Sequence, residues 1–255
     1  MIDPGQGTAY PPHAGQRVAF FGGSFDPPHF GHIAIARAAC AALHLDTVLF
    51  APVGAQPLKP QGSSASFEER VAMTRLAIAG EVYFSLSLAD APRLDGTPNF
   101  TVDSLEKLQA ALLPGSMLFC LIGADSFLAL SHWRRAAEIP FIAPLIVASR
   151  PGERLDSLES ALPAGLSIEA DPETEFRTPS VQLYTYRIRN ESGDSAPFYL
   201  LPDLEVEISA SAIREEMANS ASIGSKGKSL LPDSVREYIR AHDLYRPQSL
   251  APAST

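Results

Sequence analysis

The chain has 255 residues, of which 45% are hydrophobic, so it can bury the core of one large α/β domain or of two small ones. This composition argues against disorder of the whole chain. The formal net charge of -9 argues against broad electrostatic binding to nucleic acid, because neutralising phosphates needs a surplus of lysine and arginine. An anionic ligand must therefore be held by a local site.

The cysteines and the two ends of the chain indicate the compartment. Cys40 and Cys120 are too few for a disulfide scaffold and do not form a C-x-x-C pair, so we expect buried thiols in a reducing cytoplasm. Residues 1–16 lack the basic and apolar regions of a signal peptide, and no apolar run approaches the roughly 18 residues of a membrane span. We expect 1–16 to be a flexible polar leader and 247–255 a flexible tail, with no membrane as partner.

Apolar runs of strand type alternate with segments of helical period from residue 17 onward. In chain order, the pattern predicts a strand at 17–22, a helix at 30–43, a strand at 47–53, helices at 66–80 and 101–113, strands at 116–123 and 141–149, and helices at 210–219 and 232–242. Such alternation is typical of α/β proteins. We therefore predict a Rossmann-like, mostly parallel sheet with helices on both faces.

A segment at about 153–200 breaks this alternation with acids, prolines and glycines. Its one stretch of period two, at 180–189, predicts an inserted strand or one arm of a hairpin. The sequence contains neither an internal repeat nor a Gly-Ser linker. We therefore predict one domain over 17–246 with an insertion at about 153–200.

The stretch GSFDPPHFGH, at 23–32, follows directly on the first predicted strand. Gly22 and Gly23 at the end of that strand let the backbone turn sharply and approach a ligand closely. His29 and His32 lie three residues apart and project from one face of the first helical turn, where backbone amides attract anions. The pattern favours an anion site with imidazole donors at a helix N-terminus.

Two other interpretations of the histidines stay open at this point. They could be ordinary residues at a helix start, or they could bind a metal ion, with Asp26 as a further ligand. The stretch is neither a Walker A loop, because it has no G-K-[ST], nor the G-x-G-x-x-G of dinucleotide-binding dehydrogenases.

A second candidate anion site lies at 208–217, in ISASAIREEM. Ser209 or Ser211 could be an ordinary helix N-cap, but Ala212 stands where a capping box needs an acid. Arg214 lies early in the helix, where positive charge opposes the helix dipole unless a polyanion is bound. Serine hydroxyls, amides and a guanidinium together favour a phosphate clamp.

These two stretches resemble the G-[ST]-F-D-P-x-H-x-G-H and I-S-x-[ST]-x-[IL]-R motifs of the nucleotidyltransferase superfamily. GADSFLALSHWRRAAEI (123–139), LIVASRPG (145–152) and LLPDSVREYIRAHDLYR (230–246) are similar to the bacterial nicotinate-nucleotide adenylyltransferase family in particular. The resemblance spans most of 17–246 and fails over 153–200.

The resemblance implies a nucleotidyltransferase fold and an enzyme of NAD biosynthesis. Such an enzyme would transfer the adenylyl group of ATP, which is bound together with Mg²⁺, to nicotinate mononucleotide and would release pyrophosphate. The catalytic residues would be His29, His32 and Arg214. ATP would be bound by Gly22, Gly23, Ser24, Phe25, Asp125, Ile208, Ser209 and Ser211. The pyridine nucleotide would be bound by Lys59, Thr101 and Trp133. No residue is assigned as a metal ligand, and a homo-oligomer is compatible with the sequence.

Four of these assignments rest almost wholly on the resemblance. Without it, Trp133 would be a core or interface residue, Asp125 and Thr101 helix caps, and Lys59 a solvated loop charge.

Transfer of this kind needs positioning and charge stabilisation, since the attacking phosphate of the acceptor is already ionised near neutral pH. We therefore assign neither a catalytic base nor a covalent intermediate. The alternatives are an adenylyltransferase acting on nicotinamide mononucleotide or phosphopantetheine, a nucleotide sensor without activity, and a metal-binding protein.

Overall fold

One sheet of eight strands organises the chain in the computed structural model, which describes residues 14–58, 62–149, 156–177, 181–204, 209–219 and 230–246. The strands are β1 (Arg17–Gly23), β2 (Thr47–Pro52), β3 (Phe84–Leu86), β4 (Met117–Gly123), β5 (Leu145–Ala148), β6 (Leu166–Arg177), β7 (Gln182–Asn190) and β8 (Ser195–Leu201). The α-helices are α1 (Phe30–Leu43), α2 (Phe67–Ala77), α3 (Thr101–Ala111), α4 (Ala124–Leu128), α5 (Ile139–Ile142), α6 (Asp156–Ala161), α7 (Ala210–Asn219) and α8 (Asp233–Ala241).

The sheet order is β3-β2-β1-β4-β5-β8-β7-β6. All neighbouring pairs from β3 to β8 are parallel, and only β7 runs antiparallel to both of its neighbours. The direction in which successive strands are added changes between β1 and β4. From β1 the chain adds β2 and β3 on one side of the sheet and then β4 and β5 on the other. This is the topological switch point at which open α/β sheets bind their ligands.

Helices cover both faces of the sheet, because side chains along a strand alternate between its two sides. Ala19 and Phe21 of β1 belong to a core that includes residues of α1, α2, α7 and α8. Val18 and Phe20 of the same strand belong to a second core, with residues of α3, α4 and α5. The predicted fold, a mostly parallel Rossmann-like sheet with helices on both faces, is confirmed.

Most predicted elements agree with the structure to within a few residues. Helices were expected at 30–43 and 210–219, and α1 and α7 have these bounds. Helix α2 begins at Phe67 because Ser66 caps it: its Oγ accepts from the Glu69 N–H at 3.1 Å, and Glu69 Oε2 accepts from the Ser66 N–H at 2.7 Å.

The strand predicted at 141–149 is wrong in its first half. Ile139–Ile142 forms the short helix α5, with Pro140 in its first turn, where the missing N–H of proline costs nothing. Only Leu145–Ala148, which is fully apolar and buried, forms strand β5.

The segment predicted as an insertion continues the main sheet. The strand expected at 180–189 corresponds to β7, whereas β6 and β8 were not predicted. Strand β8 pairs in parallel with β5 and so joins β6 and β7 to the rest of the sheet. The insertion boundaries stay a prediction. Most of the predicted leader, 1–13, and the whole tail, 247–255, lie outside the described residues.

No helix in the described parts of the chain combines the length and the apolar character that crossing a bilayer requires.

Candidate active site

A cavity of about 530 Å³ opens at the carboxyl ends of the central parallel strands. Its lining includes Gly23, Gly123 and Ala148, which are the last residues of β1, β4 and β5. The lining also contains every predicted site residue that the structure describes: Gly22, Gly23, Ser24, Phe25, His29, His32, Thr101, Asp125, Trp133, Ser209, Ser211 and Arg214. The other two, Lys59 and Ile208, lie outside the described residues.

The end of β1 requires glycine for reasons of space. A Cβ atom on Gly22 would lie 2.8 Å from Cε1 of Phe20 and 3.6 Å from Oδ2 of Asp90. Phe25 follows with a left-handed backbone (φ 47°), and its buried ring packs edge-on against Phe21 at a centroid distance of 5.6 Å. The Phe25 side chain therefore belongs to the core, and a nucleotide would meet mainly its backbone.

His29 and His32 form a stacked pair at the start of α1. Their ring centroids are 3.7 Å apart, and the His29 backbone N–H donates to Nδ1 of His32 at 3.2 Å. Because Nδ1 accepts this bond, the neutral His32 ring carries its proton on Nε2. Burial, and secondarily the nearby His29, lower the pKa of His32 well below its usual value. The ring is therefore a neutral donor at pH 7.

The first turn of α1 offers fewer amides than the sequence suggested. The Phe30 N–H donates to the Leu230 carbonyl and the His32 N–H to the His29 carbonyl, both at 3.0 Å. No acidic residue occupies this turn. The N-terminus of α1 would therefore attract an anion mainly through the helix dipole and the two histidines, and less through free backbone N–H groups.

The second motif, at the start of α7, lines the same cavity. The Ser209 carbonyl accepts the Ile213 N–H at 3.0 Å, so Ser209 occupies the N-cap position. Arg214 donates through Nη2 to Ser211 Oγ at 3.1 Å and through Nη1 to the Asp26 carbonyl at 2.7 Å. A guanidinium and serine hydroxyls from α7 thus line the same cavity as the histidines of α1.

The interpretation of His29, His32 and Asp26 as metal ligands has little support. The Asp26 carboxylate already accepts from the Ser64 N–H at 2.6 Å, the Ala65 N–H at 3.1 Å and the Tyr245 hydroxyl at 2.8 Å. Within the described ranges, no three His, Cys, Asp or Glu side chains converge as a metal site would require.

A mixed aromatic and basic wall forms another side of the cavity. Trp133 is half-buried, and the guanidinium of Arg134 lies over the Phe100 ring, 4.7 Å from its centroid. Thr101 is the first residue of α3, and Phe100 is the N-cap, so the interpretation of Thr101 as a helix cap is wrong. This wall can stack on a flat ring and attract a negative group.

Asp125 lies exposed in the first turn of α4, next to the end of β4. The N-cap of this short helix is Gly123, so a capping role for Asp125 is also wrong. An exposed carboxylate at the rim of a nucleotide-sized cavity is suited to accept hydrogen bonds from ribose hydroxyls.

Asp90 and Asn99 line the cavity but were missed by sequence reasoning. Asp90 is 3% exposed and accepts a short hydrogen bond from Ser104 Oγ, and burial raises its pKa. Asn99 accepts from the Ala55 N–H at 3.1 Å and donates to the Ala91 carbonyl at 2.9 Å. Both lie between β3 and α3, where no periodic pattern marks them, so only the folded chain reveals them.

Comparison with known proteins agrees with this architecture. Residues 20–216 match the model of the cytidylyltransferase-like family. A probable nicotinate-nucleotide adenylyltransferase of Gloeobacter violaceus is 36% identical over 232 residues, which are 91% of this chain and 97% of that protein. One of Dechloromonas aromatica is 36% identical over 231 residues, covering 90% of this chain and 97% of its own length.

Solved structures share the fold at lower identity. The Plasmodium falciparum nicotinic acid mononucleotide adenylyltransferase complexed with NaAD has a TM-score of 0.62 at 15% identity and covers 90% of this chain and 97% of its own. A putative nicotinate-nucleotide adenylyltransferase from Vibrio parahaemolyticus has a TM-score of 0.54 at 18% identity, with 92% and 98% covered.

Proposed function

The chain belongs to the cytidylyltransferase-like family and, within it, to the nicotinate-nucleotide adenylyltransferases, and on this premise we propose that it joins ATP and nicotinate mononucleotide into nicotinate adenine dinucleotide. Pyrophosphate is the second product, and the step belongs to NAD biosynthesis. The observation that carries this proposal is one cavity at the switch point, lined by paired imidazoles, a serine-arginine cluster and an aromatic wall.

The reaction is an in-line displacement at the α-phosphorus of ATP. An oxygen of the acceptor's phosphate forms the new P–O bond, while the bond to the bridging oxygen breaks and pyrophosphate leaves. The acceptor phosphate, with a second pKa of about 6, is largely dianionic at pH 7, so no side chain has to remove a proton. The protein's task is to position both substrates and stabilise charge on the leaving group.

His32 and Arg214 are the groups that we assign to this stabilisation. The neutral His32 ring offers Nε2–H as a donor, and Arg214 offers a permanent positive charge from α7. His29 and the N-terminus of α1 add to the favourable potential for phosphates, while Ser209 and Ser211 supply hydroxyls.

Mg²⁺ enters as part of the substrate, bound to the triphosphate of ATP. Magnesium usually keeps several waters and is held by phosphates with one or two carboxylates, so a protein cage of ligands is not required. When bound, the ion would neutralise charge on the phosphates of the leaving pyrophosphate.

Selection of the acceptor is assigned to Trp133, Thr101 and Arg134. Trp133 stacks on the pyridine ring, and Thr101 and Arg134 interact with the carboxylate of nicotinate. The positive charge of Arg134 at this wall favours an acid over the neutral amide of nicotinamide. Lys59 and Asp125 remain proposed contacts to the acceptor phosphate and the adenosine ribose.

Pyrophosphate release from Mg-ATP, measured with nicotinate mononucleotide, nicotinamide mononucleotide and phosphopantetheine in parallel, tests the proposal. We expect kcat/KM for the nicotinate acceptor to exceed that for the nicotinamide acceptor by about tenfold or more, which corresponds to one charge-assisted hydrogen bond. The Arg134→Met variant should lower the ratio of the two kcat/KM values. The matched control is Arg75→Met, at an exposed arginine of α2, which should keep the wild-type ratio.

Each other outcome has its own meaning. Release with a different acceptor would keep the reaction and replace the substrate, whereas release with none of the three would leave a nucleotide-binding sensor. We also propose a cytoplasmic location, supported by the two free thiols, of which Cys120 is buried and Cys40 only partly buried. A homo-oligomer stays a proposal that sedimentation of the purified protein would test.

A further inference from the structure

Asp26 joins four separate parts of the chain at the wall of the cavity. It lies in the loop between β1 and α1, is only 5% exposed, and its carboxylate accepts the amides of Ser64 and Ala65 just before α2. Its backbone carbonyl accepts from Arg214 of α7, and its Oδ1 accepts from the hydroxyl of Tyr245. The last contact spans 219 residues of sequence.

Arg214 is held in place through this aspartate. Nη1 donates to the Asp26 carbonyl at 2.7 Å and lies 4.0 Å from the carboxylate Oδ2. The other nitrogen, Nη2, reaches Ser211 on the same helix. A displacement of Asp26 would therefore move the guanidinium that faces the cavity.

Tyr245 is well placed to fix Asp26. It lies in the turn after α8, with a left-handed backbone (φ 63°), and its ring packs against the core around α1, α2 and α8. Burial and the adjacent Asp26 raise the pKa of Tyr245, so the hydroxyl stays protonated and acts as a donor. The Leu244 N–H donates to the Ile239 carbonyl at 3.0 Å, which ties the turn to the end of α8.

We propose that Tyr245 is a positioning residue for the reaction, acting through Asp26 on Arg214. The C-terminal turn then sets the place of a phosphate-binding arginine although it does not line the cavity itself. This inference rests on the proposed function, because it takes Arg214 as a contact to the triphosphate.

The Tyr245→Phe variant removes the hydroxyl and keeps the ring. Its control is Tyr238→Phe, which alters a tyrosine of α8 whose ring stacks on His242, away from the cavity. We expect Tyr245→Phe to raise the KM for ATP and the Kd for a non-hydrolysable ATP analogue by about fivefold. This corresponds to part of the free energy of one hydrogen bond to a charged group. The KM for nicotinate mononucleotide should stay within about twofold, and Tyr238→Phe should match the wild type.

The same change in an Arg214→Ala background separates positioning from general destabilisation. If Tyr245 acts through Arg214, adding Tyr245→Phe to Arg214→Ala should leave the Kd for the ATP analogue unchanged. A further fivefold loss in that background, or equal loss for both substrates, would show a merely structural role and overturn the proposal.

Hydrogen exchange of the wild-type protein tests the coupling without relying on the fold of a variant. Binding of the ATP analogue should slow exchange in 242–246, because coupling between two sites is reciprocal. At an analogue concentration that gives Arg214→Ala the same occupancy as the wild type, this protection should be absent from the variant. Unchanged exchange in the wild type would contradict the inference. Since binding of the analogue needs no turnover, a wild type that fails to release pyrophosphate would remove the proposed function without deciding this test.

Discussion

His32 has two roles at the residue scale, and a suitable substitution separates them. The ring accepts the His29 N–H through Nδ1 and packs edge-on against Phe25, 4.9 Å between centroids, so alanine would disturb the start of α1 as well as the chemistry. Asparagine can keep the accepted hydrogen bond through its side-chain oxygen. We expect His32→Asn to lower kcat by about 100-fold or more, the usual loss for one donor to a transition-state charge, with a thermal midpoint within a few degrees of the wild type.

The matched control is His44→Asn. His44 ends α1 with a left-handed backbone (φ 48°), which asparagine tolerates, and its side chain is exposed. Full activity of His44→Asn beside a nearly inactive His32→Asn is the expected result of a steady-state assay. Full activity of both variants would remove His32 from the mechanism.

Residues in short motifs could be predicted from sequence, whereas residues brought in by distant loops could not. Gly22, His29 and Arg214 were selected because strand end, helix start and charge are all visible locally, and they line one cavity. Asp90 and Arg134 entered the cavity only through folding. Arg134 follows the one tryptophan, which is a usable signal in retrospect, but Asp90 lies in a stretch without any periodicity.

Arg70 of α2 connects the loops that follow β1 and β2 at the cavity. Its replacement tests how much these hydrogen bonds contribute to the stability of the fold. The side chain is 2% exposed and donates to the carbonyls of Ser24 at 2.7 Å, Val53 at 2.8 Å and Ala65 at 3.3 Å. Arg70→Met keeps the apolar length but leaves these buried carbonyls without their donors. We expect the free energy of unfolding to fall by about 3 kcal/mol, measured by urea denaturation.

The control for Arg70→Met lies on the same helix. Arg75 is exposed in the last turn of α2, so Arg75→Met should change the unfolding free energy by no more than about 0.5 kcal/mol. Equal urea midpoints for both variants would mean that the buried hydrogen bonds of Arg70 contribute little.

Long helices were predictable as elements because one period persists over several turns. Helix α1 has 14 residues and α3 has 11, enough for an apolar face to be recognised. Strand β3 has three residues, and α5 has four, which is too short for any period to show. Strand β8 could not be predicted, because a proline interrupts the strand pattern of its sequence, SAPFYLL. Pairing with β5 stabilises this strand in the folded chain.

At the scale of the whole molecule, the alternation of elements predicted a parallel sheet but not its order. Strand order depends on which crossovers bury the apolar faces together, and this is a property of the complete chain. The observed order places β1 between β2 and β4, so that the first motif lies at the switch point. The second motif reaches the same place only because α7 follows β8, the strand that the sequence did not reveal.

Stability against pH is the property of the whole molecule that reports on the histidine pair. The pKa of His32 is lowered in the folded state, so between that value and the unfolded value of about 6.5 the unfolded chain binds more protons. The contribution of His32 is therefore complete above about pH 6.5 and is lost as the pH falls towards the folded pKa, with a slope of at most about 1.4 kcal/mol per pH unit.

Asp90 acts in the opposite direction, because burial raises its pKa and its protonation favours the folded state as pH falls. A comparison of wild type and His32→Asn cancels this contribution, since both proteins contain Asp90. We expect the unfolding free energies from urea denaturation at pH 5 to 8 to differ by a constant above about pH 6.5 and to converge or cross below it, as the wild type loses the stability that depends on neutral His32. Curves that stay parallel over the whole range would show that His32 titrates alike in the folded and unfolded chains, and the buried environment that lowers its pKa would then be contradicted.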